Sequence, residues 1–141
     1  MAWILRKKVL PQHTDHAGVM WHGAYLNWLE ESRVDALGKS GVSYADLAAS
    51  GYEMPVVNLN IKYLSSLHHG NEVTLQSFLL PQQGIKFSWQ TNFLKTDGSS
   101  SAQAIVDLVL VRKIENNFRA VRRLPDNLRE AFSNLRKGSS Y

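Results

Sequence analysis

The chain has 141 residues, 44% apolar and 20% charged, which supports one domain with a packed core and excludes a disordered or repetitive protein. It has no cysteine, so disulfides, thiolate catalysis, iron–sulfur clusters and cysteine-containing zinc sites are excluded. A net charge of +4 favours anionic partners in general: nucleic acid, an anionic lipid surface or a phosphate-bearing small molecule. Arg112, Lys113, Arg119, Arg122, Arg123, Arg129, Arg136 and Lys137 carry much of the excess, but apolar and acidic residues separate them, as on solvated element faces. The first eight residues put their charges after a short apolar run, the reverse of an export signal. Nothing downstream approaches ~20 uninterrupted apolar residues. A cytoplasmic protein with no membrane span is expected.

Residues 3–10 fit a strand that stops at Pro11, because proline removes a ladder donor. A polar loop over 12–21 contains Gly18. From 22 to 37 the spacing of Leu26, Leu29, Arg33, Ala36 and Leu37 predicts a long helix, ended by Gly38 or Gly41. A shorter helix over 44–50 leads through Gly51 to Pro55, where the period changes to two. Val57, Leu59, Ile61 and Tyr63 alternate with Asn58, Asn60, Lys62 and Leu64, so a half-buried antiparallel strand is expected.

A second strand is read over 73–80, and a third carries Ile85, Phe87, Trp89, Thr91 and Phe93 on one side. Asp97-Gly98 signals a tight turn before the run 102–111, which is apolar on both faces and reads as central. Leu124-Pro125-Asp126 opens a final helix with proline at its first position and a stripe of Leu128, Ala131, Phe132 and Leu135. The order is strand, long helix, four strands, terminal helix. This is an α+β domain over 1–137 with a tail over 138–141, and the strands are expected to cover the apolar side of the long helix.

The densest chemistry lies at the first strand-to-helix junction, where His13, Asp15, His16 and His22 fall within ten residues. The first N–H groups of a helix have no intrahelical partner, so they can hold a carbonyl oxygen as it becomes an oxyanion. A carboxylate beside them can attack an acyl group or align water, which makes Asp15 a candidate for acyl transfer. It fits a plain turn cap as well. His22 could act as acid–base group or be an ordinary helix residue. The four residues lack an established metal-ligand spacing, and no metal is assigned. His68-His69-Gly70-Asn71 reads as a turn. Trp21, Tyr25, Trp28 and Trp89 suit an acyl pocket, a core or an interface. Asp107, inside an apolar strand, requires a hydrogen-bonding partner.

The stretch His13-Thr14-Asp15-His16-Ala17-Gly18-Val19-Met20-Trp21-His22 resembles the hotdog-fold thioesterases of the 4-hydroxybenzoyl-CoA thioesterase and YbgC-like type, whose hallmark is Asp-x-Asp-x-x-Gly-Val-Val-Tyr-His before a helix. Tyr25, Leu26, Trp28 and Glu30 echo that helix. The resemblance implies an antiparallel sheet wrapped around a long central helix and hydrolysis of a small, including aromatic, acyl-CoA to free acid and coenzyme A without a cofactor. It implies Asp15 and His22 as catalytic residues, with Gly18, Val19, Trp21 and Tyr25 at the substrate and backbone N–H groups around Trp21 and His22 on the thioester carbonyl. It also implies a homodimer or homotetramer. His13 stands where the pattern has its first acid, and His16 where proline, alanine or glycine is usual; both positions bear on substrate preference. A non-catalytic acyl-CoA or acyl-carrier-protein binding module is the alternative, and nucleic-acid binding is suggested by charge alone.

Overall fold

Pro11 has no N–H to extend a ladder, and strand β1 (Trp3–Lys8) stops before it. A 3-10 turn (Pro11–His13) and a tight loop lead to helix α1 (His22–Ser40). Gly41, at φ 119°, ends that helix in the left-handed region, and its N–H meets the carbonyls of Gly38 and Leu37. Helix α2 (Tyr44–Ala49) is capped by the Ser43 hydroxyl, which accepts the Asp46 N–H. Strands β2 (Tyr52–Glu53), β3 (Val56–Tyr63), β4 (Glu72–Leu79), β5 (Lys86–Leu94) and β6 (Ser100–Val109) follow. A hairpin, β7 (Val111–Ile114) and β8 (Asn117–Ala120), precedes helix α3 (Asp126–Lys137). The computed structural model describes residues 1–139.

The main sheet is antiparallel, in the order β1-β4-β5-β6-β3, and a small second sheet runs β2-β7-β8. The main sheet wraps around α1, the hotdog arrangement. At one end of its inner face small residues stand across from their partners: Phe93 lies opposite Ala102, and Thr91 opposite Ala104. The space left beside the alanines lets the helix approach. Tyr25 of α1 then meets the Phe93 ring edge-on at 5.2 Å, and the Trp89 indole N–H donates to the Ser32 hydroxyl at 3.3 Å. Helix α3 buries Leu128, Ala131, Phe132 and Leu135, and Phe132 lies edge-on to Phe87 at 5.2 Å. The Trp3 indole N–H donates to the Leu135 carbonyl at 2.8 Å, tying α3 to β1.

Several expectations change. Seven strands follow α1 rather than four, because β2 and the β7–β8 hairpin were unread. The hairpin turns through Glu115 at φ 56° with no glycine, and its strands are charged and largely exposed on both faces, so neither signal was present. The central strand is β5; β6 lies between it and the edge strand β3, and Ile105 on its outer face is exposed. Strand β3 is not half-buried: Val56, Val57, Leu59 and Tyr63 are exposed along that edge. On α1, Leu26 faces solvent while Tyr25, Trp28 and Leu29 face the core, so the buried stripe is rotated from the one read. Pro125 is the N-cap of α3, one position before the first turn.

Of the tail, the Gly138 N–H donates to the Asn134 carbonyl and the Ser139 N–H to the Met1 carbonyl, while 140–141 lie outside the described residues. Asp107 has its partners across the sheet: the Ser88 hydroxyl at 2.6 Å, the Asn58 amide at 3.3 Å and Lys86 at 3.8 Å. The Ser88 bond, with smaller help from Asn58 and Lys86, holds its carboxyl below the usual range.

Candidate active site

The polar junction folds as a small hairpin closed by a bridge between Thr14 and Met20. The Asp15 N–H donates to the Val19 carbonyl at 2.8 Å, and the Gly18 N–H returns to the Asp15 carbonyl at 3.0 Å. Gly18 sits at φ 78°, which a side chain would strain, so glycine here follows from the turn itself. Asp15 Oδ1 accepts the N–H groups of Ala17 at 2.9 Å and Val19 at 3.1 Å. Its second oxygen has no hydrogen-bond partner among the described residues, and the side chain is exposed.

The loop is braced from two sides. Met20 N–H donates to the Leu67 carbonyl and His69 N–H to the Gly18 carbonyl, so the turn around His68–Asn71 supports the motif as well as joining β3 to β4. His13 Nδ1 accepts the Leu10 N–H at 3.0 Å, and its ring stands edge-on to Trp28 at 5.2 Å. The residue in place of the family's first acid is thus a loop brace here.

His22 is the first residue of α1 and is exposed, its ring edge-on to Trp21 at 5.4 Å. The Trp21 N–H is committed to the His13 carbonyl at 3.1 Å. The open donors at this helix start are therefore the N–H groups of His22 and Gly23, one position later than expected. The Trp21 ring lies directly on Gly23, where any Cβ would collide with its six-membered ring. Glycine at 23 thus lets an aromatic face cover the helix start.

Val19 and Tyr25 come together in a depression of about 320 Å³ with Met20, Tyr63, Leu64, Ser65 and Ser66. Asp15, Gly18, Trp21 and His22 are not part of its lining. Sequence reasoning missed Tyr63 and residues 64–66, since the bonds of Met20 to Leu67 and of His69 to Gly18 that bring this segment to the loop join distant parts of the chain and nothing local signals them. Trp28 and Trp89 belong to the core. Among the described residues no group of three or more His, Cys, Asp or Glu could hold a metal ion, and no helix is long and apolar enough to cross a membrane.

Tyr25 is buried, and this burial, with the Tyr63 phenol second, pushes its hydroxyl up to about 12. The folded chain keeps a proton that the unfolded chain releases near the ordinary value of 10.0. The stabilisation is therefore complete below that pH and is lost as pH rises through about 12. Urea unfolding at pH 9 and pH 11 should show wild type losing stability relative to Tyr25→Phe; an unchanged difference would contradict this assignment.

Comparison with known proteins agrees with this architecture. Residues 9–132 match the family model for the Thioesterase-like superfamily. A Synechocystis sp. protein named as an esterase, sll0410, is 33% identical over 131 residues, covering 92% of this chain and 78% of its own. YneP of Bacillus subtilis, named as an acyl-CoA thioesterase, is 29% identical over 100 residues, 71% of this chain and 72% of its own. The solved structure of a DHNA-CoA thioesterase from Staphylococcus aureus superposes with a TM-score of 0.84 at 25% identity, covering 96% of this chain and 91% of that one. The chain belongs to the Thioesterase-like superfamily and is a hotdog-fold thioesterase.

Proposed function

We propose that this enzyme hydrolyses small acyl-CoA thioesters, aromatic ones included, with Asp15 as the reacting carboxylate. The observation that carries the reading is the division of labour within Asp15: Oδ1 is spent on the turn, while Oδ2 has no partner among the described residues, in the same loop that ends at the N–H groups of His22 and Gly23. In hydrolysis a C–O bond to the thioester carbon forms, the C–S bond breaks, and a proton from water ends on the coenzyme A sulfur. The carbonyl oxygen gains charge as the bond forms, which the N–H groups and the helix dipole offset. Oδ2 serves either as base for the attacking water or as nucleophile through an anhydride. Label from isotopic water in the enzyme carboxylate after a single turnover marks the second. His22, beside the same helix start, assists the departing thiolate.

Gly18 and Val19 shape the approach to the carbonyl, and Trp21, Tyr25 and Tyr63 offer aromatic surface to the acyl group. The S. aureus neighbour, named for an aromatic CoA ester, favours the same class. In the small sheet Arg112 lies directly opposite Arg119, a like-charge pair that destabilises a ladder, with Tyr52 next along the row. Arg112 also stacks over the Tyr52 ring at 5.9 Å, and the phosphates of coenzyme A would meet surface basic residues of this kind. Residues 1–137 act as one domain in this reading, in a cytoplasmic enzyme.

The exposed apolar edge of β3 is an unpaired strand, which soluble proteins normally cover. We infer a homodimer that pairs two β3 edges. Light scattering should give at least twice the 15.9 kDa chain mass; a monomer at micromolar concentration would remove the dimer.

Free-thiol release from short-chain, long-chain, benzoyl, hydroxybenzoyl and dihydroxynaphthoyl esters tests the activity, each ester offered on coenzyme A and on phosphate-free pantetheine. Turnover of small or aromatic esters is expected, with lower KM for the coenzyme A forms. A folded protein that binds these esters and releases no thiol would instead be a binding module.

A further inference from the structure

Arg33 lies roughly 16 Å along α1 from His22, at 1.5 Å per residue, beside a cavity of about 230 Å³ between α1, α3 and the inner face of the sheet. Its floor is core: Leu37, Phe87, Trp89 and Phe132 are all buried. Val34, Tyr44 and Val56 are exposed at its rim. Among the lining residues only Glu30 and Arg33 carry charge.

Arg33 is half-buried, and its guanidinium makes no hydrogen bond or ion pair among the described residues. It feels the charge of Glu30 one turn back, but Glu30 is exposed and does not reach it. The Tyr44 hydroxyl is already spent on Glu53 at 2.9 Å. A guanidinium keeps its charge and five fixed donors when partly desolvated, and at Arg33 these are left to solvent at the edge of an apolar cavity, available to a ligand that enters it. The acceptor whose shape matches the fork is a carboxylate, bound through two parallel N–H···O bonds. The volume corresponds to roughly eight waters at ~30 Å³ each, space for a compact hydrocarbon or aryl group.

We propose that this cavity binds a small apolar monocarboxylate, with its carboxylate on Arg33 and its hydrocarbon or aryl body against Phe87, Trp89 and Phe132. The site does not rest on the reaction assigned above, although thioester hydrolysis releases acids of this class. Bound acid would lie at the middle of α1, separate from the Asp15 loop.

Binding of octanoate and of neutral 1-octanol to the full chain tests it, followed by calorimetry and by tryptophan fluorescence, to which Trp89 in the floor contributes. Octanoate should bind saturably and at least ~10-fold more tightly than octanol, as charged hydrogen bonds imply. Arg33→Met should lose at least that factor for octanoate and leave octanol within about threefold, while Arg33→Lys, which keeps charge but not the fork, should fall between. No octanoate binding to wild type, equal affinity for acid and alcohol, or unchanged octanoate affinity in a folded Arg33→Met would overturn the site. If Arg33→Met does not fold, the acid-to-alcohol ratio in wild type and Arg33→Lys decides. Thiol release enters none of these measurements, so the result stands apart from that of the activity.

Discussion

Two hydrogen bonds to one carboxylate oxygen, from Ala17 and Val19 to Asp15 Oδ1, organise the functional end of the molecule. Bonds to an ionised acceptor are about twice as strong as neutral ones, and these close a loop with a glycine in the left-handed region at its corner. The closed loop offers the Gly18 carbonyl to His69, and the 67–71 turn is in turn held to β1 through Val9, Gly70 and Asn71. The pose of Asp15 thus depends on residues from two distant parts of the chain. The same side chain anchors the loop with one oxygen and leaves the other without a hydrogen-bond partner among the described residues.

The sheet gives α1 its place, and α1 gives the site its donors. Phe93 opposite Ala102 and Thr91 opposite Ala104 make room for the helix, while Trp89 and Phe93 grip it through Ser32 and Tyr25. Trp21 caps the near end of the helix by lying on Gly23, which only a residue without a Cβ allows. Packing that fixes the helix axis therefore also fixes where the N–H groups of His22 and Gly23 point. A shift of the core around Trp89 would be felt at the helix start.

Local patterns in the sequence were enough for the order of the main elements, the Asp15 junction and the α3 stripe. The loop that carries Asp15 into the start of α1 is readable because its residues are neighbours in the chain. What needed distant partners was not. The phase of α1 follows from Tyr25 and Trp28, large aromatics with polar atoms that tertiary packing nonetheless buries, and not from Leu26, which faces solvent. Asp107 looked anomalous because Ser88, Asn58 and Lys86 reach it only across strands. The β7–β8 hairpin has neither a glycine turn nor alternation, and its Arg112–Arg119 opposition runs against the usual ladder preference. The edge position of β3 follows from strand order alone, which the period of two does not encode.

The most direct test of the central claim is to measure turnover and unfolding together in Asp15→Asn and Asp15→Ala. Asparagine keeps a carbonyl oxygen for the Ala17 and Val19 N–H groups but loses the reacting carboxylate; alanine loses both. Asp15→Asn should fold and lose less stability than Asp15→Ala, because it keeps neutral forms of both bonds, while its kcat should fall by about 100-fold or more. Asp15→Ala should be as inactive and destabilised as well, by about 1–3 kcal/mol. Wild-type turnover in a folded Asp15→Asn would contradict it and leave Asp15 as a turn residue only.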